Sequence, residues 1–358
     1  MKEILNKLCM ACGVSGNEYD VSEIAAEMLK DYTKNVMIDD NGNVYANFGK
    51  ADAPKSILLD AHIDRIGLVV TYIDDNGFLK GGSCGGLDMR TLPGSSVTVY
   101  GKEPITGVIC TLPPHLQKDD SQAIDKDEIW IDTGLPCEVV REKVSLGDCV
   151  MLNSFMRPLL NDRIACGALD NRIGCAVLIR CAELLKDKEL PCRLTILLSV
   201  QEETTESGAK TGIDNFFSDE AVIVDVGFAH QNGVPNEKSG ALGGGGIITL
   251  APSLSKPITD KLIEISKEMG LACDYEVCGG TTGTNADAIA SARGGVACGI
   301  ISIPERNMHT QVEVIDLKDA ENIAQLLVKF VLGNGSDIQN WNLTEYVFEK
   351  HTGGAENA

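Results

Sequence analysis

Residues 193–210 read RLTILLSVQEETTESGAK. The stretch from Leu194 to Val200 is rich in Leu, Ile, Val and Thr, shows no polar alternation, and lies between Pro191 and a polar cluster. Such a run reads as a strand buried on both faces, the kind that sits inside an α/β sheet. Glu202 and Glu203 then stand where the strand emerges, and in open α/β sheets ligands bind at that end. Two adjacent carboxylates repel unless a cation or a shared proton offsets their charge. One reading is therefore a metal ligand beside a general base, and the other is a solvated loop with two surface acids.

Working outward, strands alternate with helices on the C-terminal side of this run. EAVIVDVGF, GGIITLAP, LACDYEVC and CGIISIP read as strands, while Ile258 to Met269, Ala286 to Arg293 and Leu317 to Leu332 carry helical periodicity. On the N-terminal side a helix runs from Arg172 to Lys186 behind a loop, NDRIACGALDN. Residues 1–50 give a helix with Ile4, Leu5 and Leu8 inward, a glycine turn at GVSGNE, a helix from Val21 to Leu29, and a hairpin, VMIDDNGNVYANF. The string SILLDAHIDRIGLVV follows, an apolar run ending in a polar loop.

Between these two regions the character changes. LVVTYID, SSVTVYG, TGVICTL and DEIWIDTG are short strand-like segments separated by Gly, Pro and Asp, a pattern that suits a small β-barrel or sandwich. The expected organisation is an α/β unit made of residues 1–66 and 154–358, interrupted by a β-rich insert at residues 67–153. The tail beyond Gly333 is polar and is expected to be ordered only in part.

With 358 residues the chain has ample core without a disulfide staple. Its thirteen cysteines lie in apolar contexts and no secretory leader precedes them, which points to reduced thiols in a cytoplasmic protein. Cys9 and Cys12 form one CxxC without a second pair, so structural thiols are a better reading than a zinc or redox motif. A net charge of −21 opposes phosphate backbones and anionic membranes, and excludes nucleic acid as a partner. No apolar stretch reaches the roughly 18 residues of a membrane span.

Four further positions share the placement of the glutamate pair. His62 and Asp64 follow SILLDA, Asp170 opens the helix that begins Asn171-Arg172, Asp225 ends AVIVD, and His309 follows GIISIP. Singly, each has a bland alternative: a core histidine, a helix N-cap, a turn former, a surface histidine. Together they place metal-ligand types, including two of only five histidines, at equivalent topological positions. Imidazole with carboxylate oxygen suits zinc, cobalt or manganese. His-x-Asp on one extended segment puts both side chains on one face, so that Asp64 can hydrogen-bond the far ring nitrogen of His62.

The strings DAHIDRIG, ALDNRIG, SVQEE, IVDVGFA, GTNADAIASARGGV and IISIPERNMHTQVEVIDLKD occur in an order and spacing that resembles the tetrahedral aminopeptidases. These are co-catalytic metallopeptidases, family 42, that include glutamyl aminopeptidases and proteins once called endoglucanases. The resemblance covers essentially the whole chain. It implies a three-layer α/β/α catalytic domain with a mostly parallel mixed sheet, and a PDZ-like small barrel serving oligomerisation or access. It further implies two divalent ions, zinc or cobalt with manganese as a third choice. Asp170 would bridge them, His62 and Asp225 would lie on one side or the other, and Glu203 and His309 would complete the shells. Glu202 becomes the general base acting on a metal-bridging water, and Asp64 the acid that orients His62. The implied activity is removal of the N-terminal residue of short peptides, and the implied assembly is a homo-oligomer of dimers forming a hollow dodecamer.

Four positions depart from the family's strings: Arg65 for an acid, Asn171 for a second Asp, Asn285 where Thr-Asp is common, and Asn307 for an aromatic residue. None removes a predicted ligand or the base. Two alternatives to the aminopeptidase are a related di-metal amidohydrolase or deacylase, and a catalytically impaired peptide-binding assembly protein. No GxSxG elbow offers a serine route, and few aromatic platforms exist for sugars. Gly243 to Gly246 lacks the Lys-Ser/Thr of a phosphate loop and is expected to be a close backbone approach beside the site. The resemblance implies that the loop from Gly279 to Gly283 lines the cleft. Arg65 and Lys210 would favour acidic substrates and the net charge basic ones, so no side-chain preference follows.

Overall fold

A computed structural model describes residues 1–113, 115 and 125–333. The polar tail beyond Gly333 lies outside the described residues. An eight-stranded mixed sheet forms the centre, in the order Val36–Ile38, Val44–Phe48, Arg193–Ser199, Ser56–His62, Glu220–Phe228, Ala297–Glu305, Ile247–Leu250, Asp274–Val277. The four strands from Arg193–Ser199 to Ala297–Glu305 run parallel, which requires crossovers and buries both faces.

Side chains alternate between two helical layers, as the period of a strand demands. Ile57, Leu59 and Ala61 pack with helices Lys2–Met10, Tyr19–Lys30, Leu169–Leu185 and Leu317–Leu332 on one face. Leu58, Leu197 and Ile223 pack with helices Ser207–Asn215 and Asn285–Ser291 on the other. The fold class read from the sequence is thus the one observed.

Six antiparallel strands between Gly67 and Leu152 close into a barrel, ordered Gly67–Ile73, Leu79–Cys84, Ile129–Asp132, Pro104–Ile109, Ser96–Tyr100, Cys149–Leu152. Its interior holds Leu68, Leu79, Val97, Val99, Ile129 and Ile131 with helix Cys137–Lys143 against it.

Several local expectations need correction. The supposed loop NDRIACGALDN contains a strand, Arg163–Cys166, which pairs with Glu313–Asp316 in a separate three-stranded sheet. Strand Leu79–Cys84 was invisible because two of its six residues are glycines, which weaken any strand signal. The strand read as EAVIVDVGF is observed over Glu220–Phe228, with Asp225 inside it, because the parallel pairing with Ala297–Glu305 continues that far. The glycines of 243–246 approach Asp316, Leu271 and Ile323 rather than the acidic cluster. The Gly243 and Gly245 N–H groups donate to Asp319 at 2.7 and 2.8 Å, so the chain's own carboxylate fills that nest.

Candidate metal centre

The carboxyl ends of the parallel strands converge on one acidic cluster. His62 is the last residue of Ser56–His62 and pairs in register with Ser199, three residues before Glu202. Ile223 pairs with Asp60, so two residues further along both strands Asp225 is level with His62. Asp170 lies at a break before the regular part of helix Leu169–Leu185, with extended ψ and a cis bond to Asn171, and its side chain does not cap the helix. His309 stands in a turn after Ala297–Glu305, where both it and Asn307 adopt positive φ.

Asp170 is the geometric centre. Its Oδ1 lies 3.1 Å from His62 Nε2 and its Oδ2 3.2 Å from His309 Nε2. Asp225 Oδ1 and Glu202 Oε2 lie 3.7 and 3.8 Å from His62 Nε2, and Glu203 Oε2 lies 3.7 Å from His309 Nε2. Two groups that could each hold an ion result, His62–Asp170–Asp225 and Asp170–Glu203–His309, each with candidate donor atoms within 4.8 Å of one another and both sharing Asp170. His62, Glu202 and Glu203 form a third such group.

Surrounding groups hold this arrangement. Asp64 accepts the backbone N–H of Glu202 at 3.0 Å and of Glu203 at 3.1 Å, so it pins the glutamate pair to the His62 segment. Its Oδ1 is 3.4 Å from His62 Nδ1, a facing contact without hydrogen-bond geometry. His309 Nδ1 donates to the Gly86 carbonyl at 2.8 Å, which orients the ring so that Nε2 faces Asp170 and Glu203. Glu313 accepts the N–H groups of Leu169 at 2.7 Å and Asp170 at 3.3 Å.

The cluster is rich in negative charge taken out of water. Burial pushes Glu202 up to about 7 and Glu203 and Asp225 well above the usual carboxylate range, reinforced by Asp170. Asp170 itself is held below that range by its hydrogen bonds to His309 and His62, which outweigh burial. Burial pulls both imidazoles down, but the surrounding acids win: His62 is raised, and His309 reaches about 10. Buried Glu203 Oε1 has no hydrogen-bond partner among the described residues. Two imidazole nitrogens aimed at a carboxylate they share, with further carboxylates alongside, is a donor set that fits one or two divalent cations.

All seven residues singled out in the sequence meet here. The four departures are accommodated without disturbing them. Asn171 donates to the Val224 carbonyl at 2.8 Å and accepts the Gly174 N–H at 3.1 Å, a pair of roles that an amide fills and a carboxylate does not. Asn285 donates to Asp60 and Ser199 at 2.9 and 2.8 Å. Asn307 donates to the Val312 carbonyl at 3.1 Å. Arg65 is buried and donates to the Leu152 carbonyl at 3.3 Å, so it faces the barrel's last strand.

Sequence reasoning missed Gly85 and Gly86, Glu313 and Glu305. A Cβ on Gly86 would lie 3.0 Å from His309 Nδ1, and one on Gly85 3.3 Å from Glu203. The Gly-Gly pair in SCGGLD was the available signal, since adjacent glycines mark close approach. Glu305, fully buried, has no hydrogen-bond partner for either oxygen among the described residues, and burial with the Glu313 charge raises its pKa.

Comparison with known proteins identifies the family. The family model of the M42 glutamyl aminopeptidases matches residues 42–326. The chain is 33% identical to a lysyl aminopeptidase of Pyrococcus furiosus, over 90% of this chain and 94% of that one. Among solved structures, aminopeptidase APDkam598 of Desulfurococcus kamchatkensis superposes with a TM-score of 0.85 at 31% identity, covering 92% of this chain and 94% of that one. The TET1 peptidase of Pyrococcus horikoshii gives 0.83 at 29% identity, covering 92% and 99%. The chain belongs to the M42 glutamyl aminopeptidase family.

Proposed function

We propose that this chain is a two-metal aminopeptidase that releases the N-terminal residue of short peptides. The observation that carries the reading is the placement of the two Asp170 oxygens, each faced by a histidine Nε2 at 3.1 and 3.2 Å, with Asp225 on one flank and Glu203 on the other. His62, Asp170 and Asp225 would hold one ion and Asp170, Glu203 and His309 the second, zinc or cobalt suiting the set better than manganese. Bound divalent ions would supply Lewis acidity, polarising the scissile carbonyl and acidifying water.

Glu202 holds and moves the proton. Its Oε2 lies 3.8 Å from His62 Nε2, where it would accept a proton from attacking water and return it to the leaving amine. Asp64 fixes the backbone of that base and stands behind His62. Surplus carboxylate in the cluster suits a free α-ammonium on the substrate, which restricts cleavage to the chain end. Side-chain preference is left open, since the family is described as glutamyl and one relative as lysyl.

Residues 67–153 act as an inserted domain for assembly or access, and the chain forms a homo-oligomer. The relative from P. horikoshii, described as assembling into a tetrahedron or a large octahedral shell, supports the expectation of dimers building a tetrahedral dodecamer.

The test is a metal-depleted preparation assayed on a panel of aminoacyl and N-acetylated peptides with zinc, cobalt and manganese restored in turn. Restored cleavage of unblocked peptides alone is expected, and Glu202→Gln should lower kcat by about 10²-fold or more with metal content unchanged. Cleavage of acetylated peptides would move the assignment to a deacylase. Equal inertness of both metal-loaded proteins would leave a binding protein.

A further inference from the structure

One side-chain pair outside the acidic cluster has a chemistry that the proposed activity does not use. Cys12 follows helix Lys2–Met10, and Cys149 opens the barrel's last strand, Cys149–Leu152. They are 137 residues apart in sequence, yet their Sγ atoms lie 3.5 Å apart, and the two residues are 5% and 4% exposed. The thiol that Cys12 contacts is thus Cys149 and not Cys9, the other member of the CxxC. Val14 and Met151 pack around the pair, with Cys84 and Tyr100 at its edge. Nothing in the proposed peptide cleavage needs two thiols in contact here.

From this contact we infer that Cys12 and Cys149 form a reversible dithiol–disulfide site, oxidised by peroxide, that locks the barrel onto the segment bracing the acidic cluster. A disulfide has an S–S length near 2.05 Å, so the sulfurs need to close by only about 1.5 Å. Hydrogen bonding from Cys149 lowers the Cys12 thiol to about 7 against the opposing effect of burial, which favours Cys12 as the attacking thiolate. Its sulfur attacks the peroxide O–O bond, forming the sulfenic acid and releasing hydroxide, which becomes water. Cys149 then attacks that sulfur, the S–O bond breaks, and a second water leaves. Two thiols are oxidised by two electrons and one peroxide is reduced to two waters.

The cross-link lands where it has mechanical consequence. Residues 13–15 pair with Arg65 through Arg65 N–H to the Gly13 carbonyl and Ser15 N–H to the Arg65 carbonyl, both 3.0 Å. The Ser15 hydroxyl lies 2.9 Å from that of Thr204, the neighbour of Glu203. Oxidation thus ties the barrel's last strand, by one covalent bond, to a segment in contact with both the His62 and the Glu203 stretches. Closing a loop of this length restricts the unfolded chain strongly.

The full-length protein treated with stoichiometric hydrogen peroxide tests this by non-reducing peptide mass spectrometry, thiol titration and thermal melting. The expected result is one cross-linked pair of peptides carrying Cys12 and Cys149, loss of two of the thirteen thiols, and recovery with dithiothreitol. The oxidised wild type should melt several degrees higher, while Cys12→Ser and Cys149→Ser, still folded by circular dichroism, should show neither cross-link nor shift. Thiol loss without the cross-link, a link to another cysteine such as Cys9 or Cys166, or its survival in Cys12→Ser would overturn the site. An unchanged melting point would overturn the lock. None of these readouts requires peptidase activity, so failure here is separable from failure of the proposed function.

Discussion

Glu18 shows how far the influence of the glutamate pair reaches at the scale of one residue. Its Oε1 accepts the Gly16 N–H at 2.7 Å and the Gln201 N–H at 3.2 Å, so it holds the backbone immediately before Glu202. Burial nevertheless raises its pKa from an ordinary 4.5 to about 7. A carboxyl raised on folding binds more protons in the native state between those two values, so its contribution to stability falls as pH rises from 4.5 to 7 and is flat above. Glu18→Gln keeps the acceptor oxygen and removes the charge. Urea unfolding should find the variant more stable than wild type by about 1–2 kcal/mol at pH 8 and equal to it near pH 4.5. Wild type superior at pH 8 would show that the ionised form is the one the fold prefers.

Residue identity was the most legible level of this chain. The seven residues that meet in the acidic cluster could be singled out because the imidazole and carboxylate types that suit metal ligation and proton transfer are few, and because they follow strand-like runs or, for Asp170, open a helix. Gly86 and Glu313 were illegible for a physical reason: each acts on backbone groups or through its own backbone, and a carbonyl or an N–H carries no residue-specific letter.

At the scale of elements, long-range ties through main-chain groups decide where the strand ends sit. Arg172, fully buried, donates to the carbonyls of Ile63 at 2.6 Å and Gly13 at 3.3 Å, and also to those of Leu8 and Ala11. It thereby binds the end of helix Lys2–Met10 to the segment between His62 and Asp64. A lysine cannot span these acceptors with one ammonium. Arg172→Lys should cost about 2–4 kcal/mol in chemical unfolding, since it leaves buried carbonyls unpaired. A loss under about 0.5 kcal/mol would mean that the carbonyls find other donors.

The barrel makes an equally specific contact. Gly86→Ala places a methyl against His309 Nδ1, and competition with a chelator should show at least one ion held about 10-fold more weakly. Unchanged retention would show that the loop simply moves aside. Helices and buried parallel strands were legible because their periods are strong, whereas the glycine-bearing barrel strand and the strand inside NDRIACGALDN were set by tertiary pairing.

For the whole molecule, assembly is the open question that the surface itself addresses. Phe155 and Leu160 are 68% and 85% exposed on the connection between barrel and helix Leu169–Leu185, and exposed apolar side chains of this size suit a covering partner chain. Sedimentation analysis should find the wild type larger than a dimer, and Phe155→Glu with Leu160→Glu should shift it to smaller species. A wild-type monomer would remove the homo-oligomer from the proposal. Fold class at this scale was readable from the alternation of elements, but the number of chains in a particle is written in surface shape, which a single sequence does not display.

The Gly86 carbonyl that orients His309 belongs to the barrel, while His309 belongs to the last sheet strand's turn. The proposed ligands therefore come from separate stretches between His62 and His309, and the carbonyl that orients the last of them lies in the insert between the first two, His62 and Asp170. A partly made or barrel-damaged chain has acidic residues in plenty but lacks the oriented imidazole. On the proposed function, tight ion uptake would work as a completeness check: a loaded chain would be one in which barrel and sheet have already found each other.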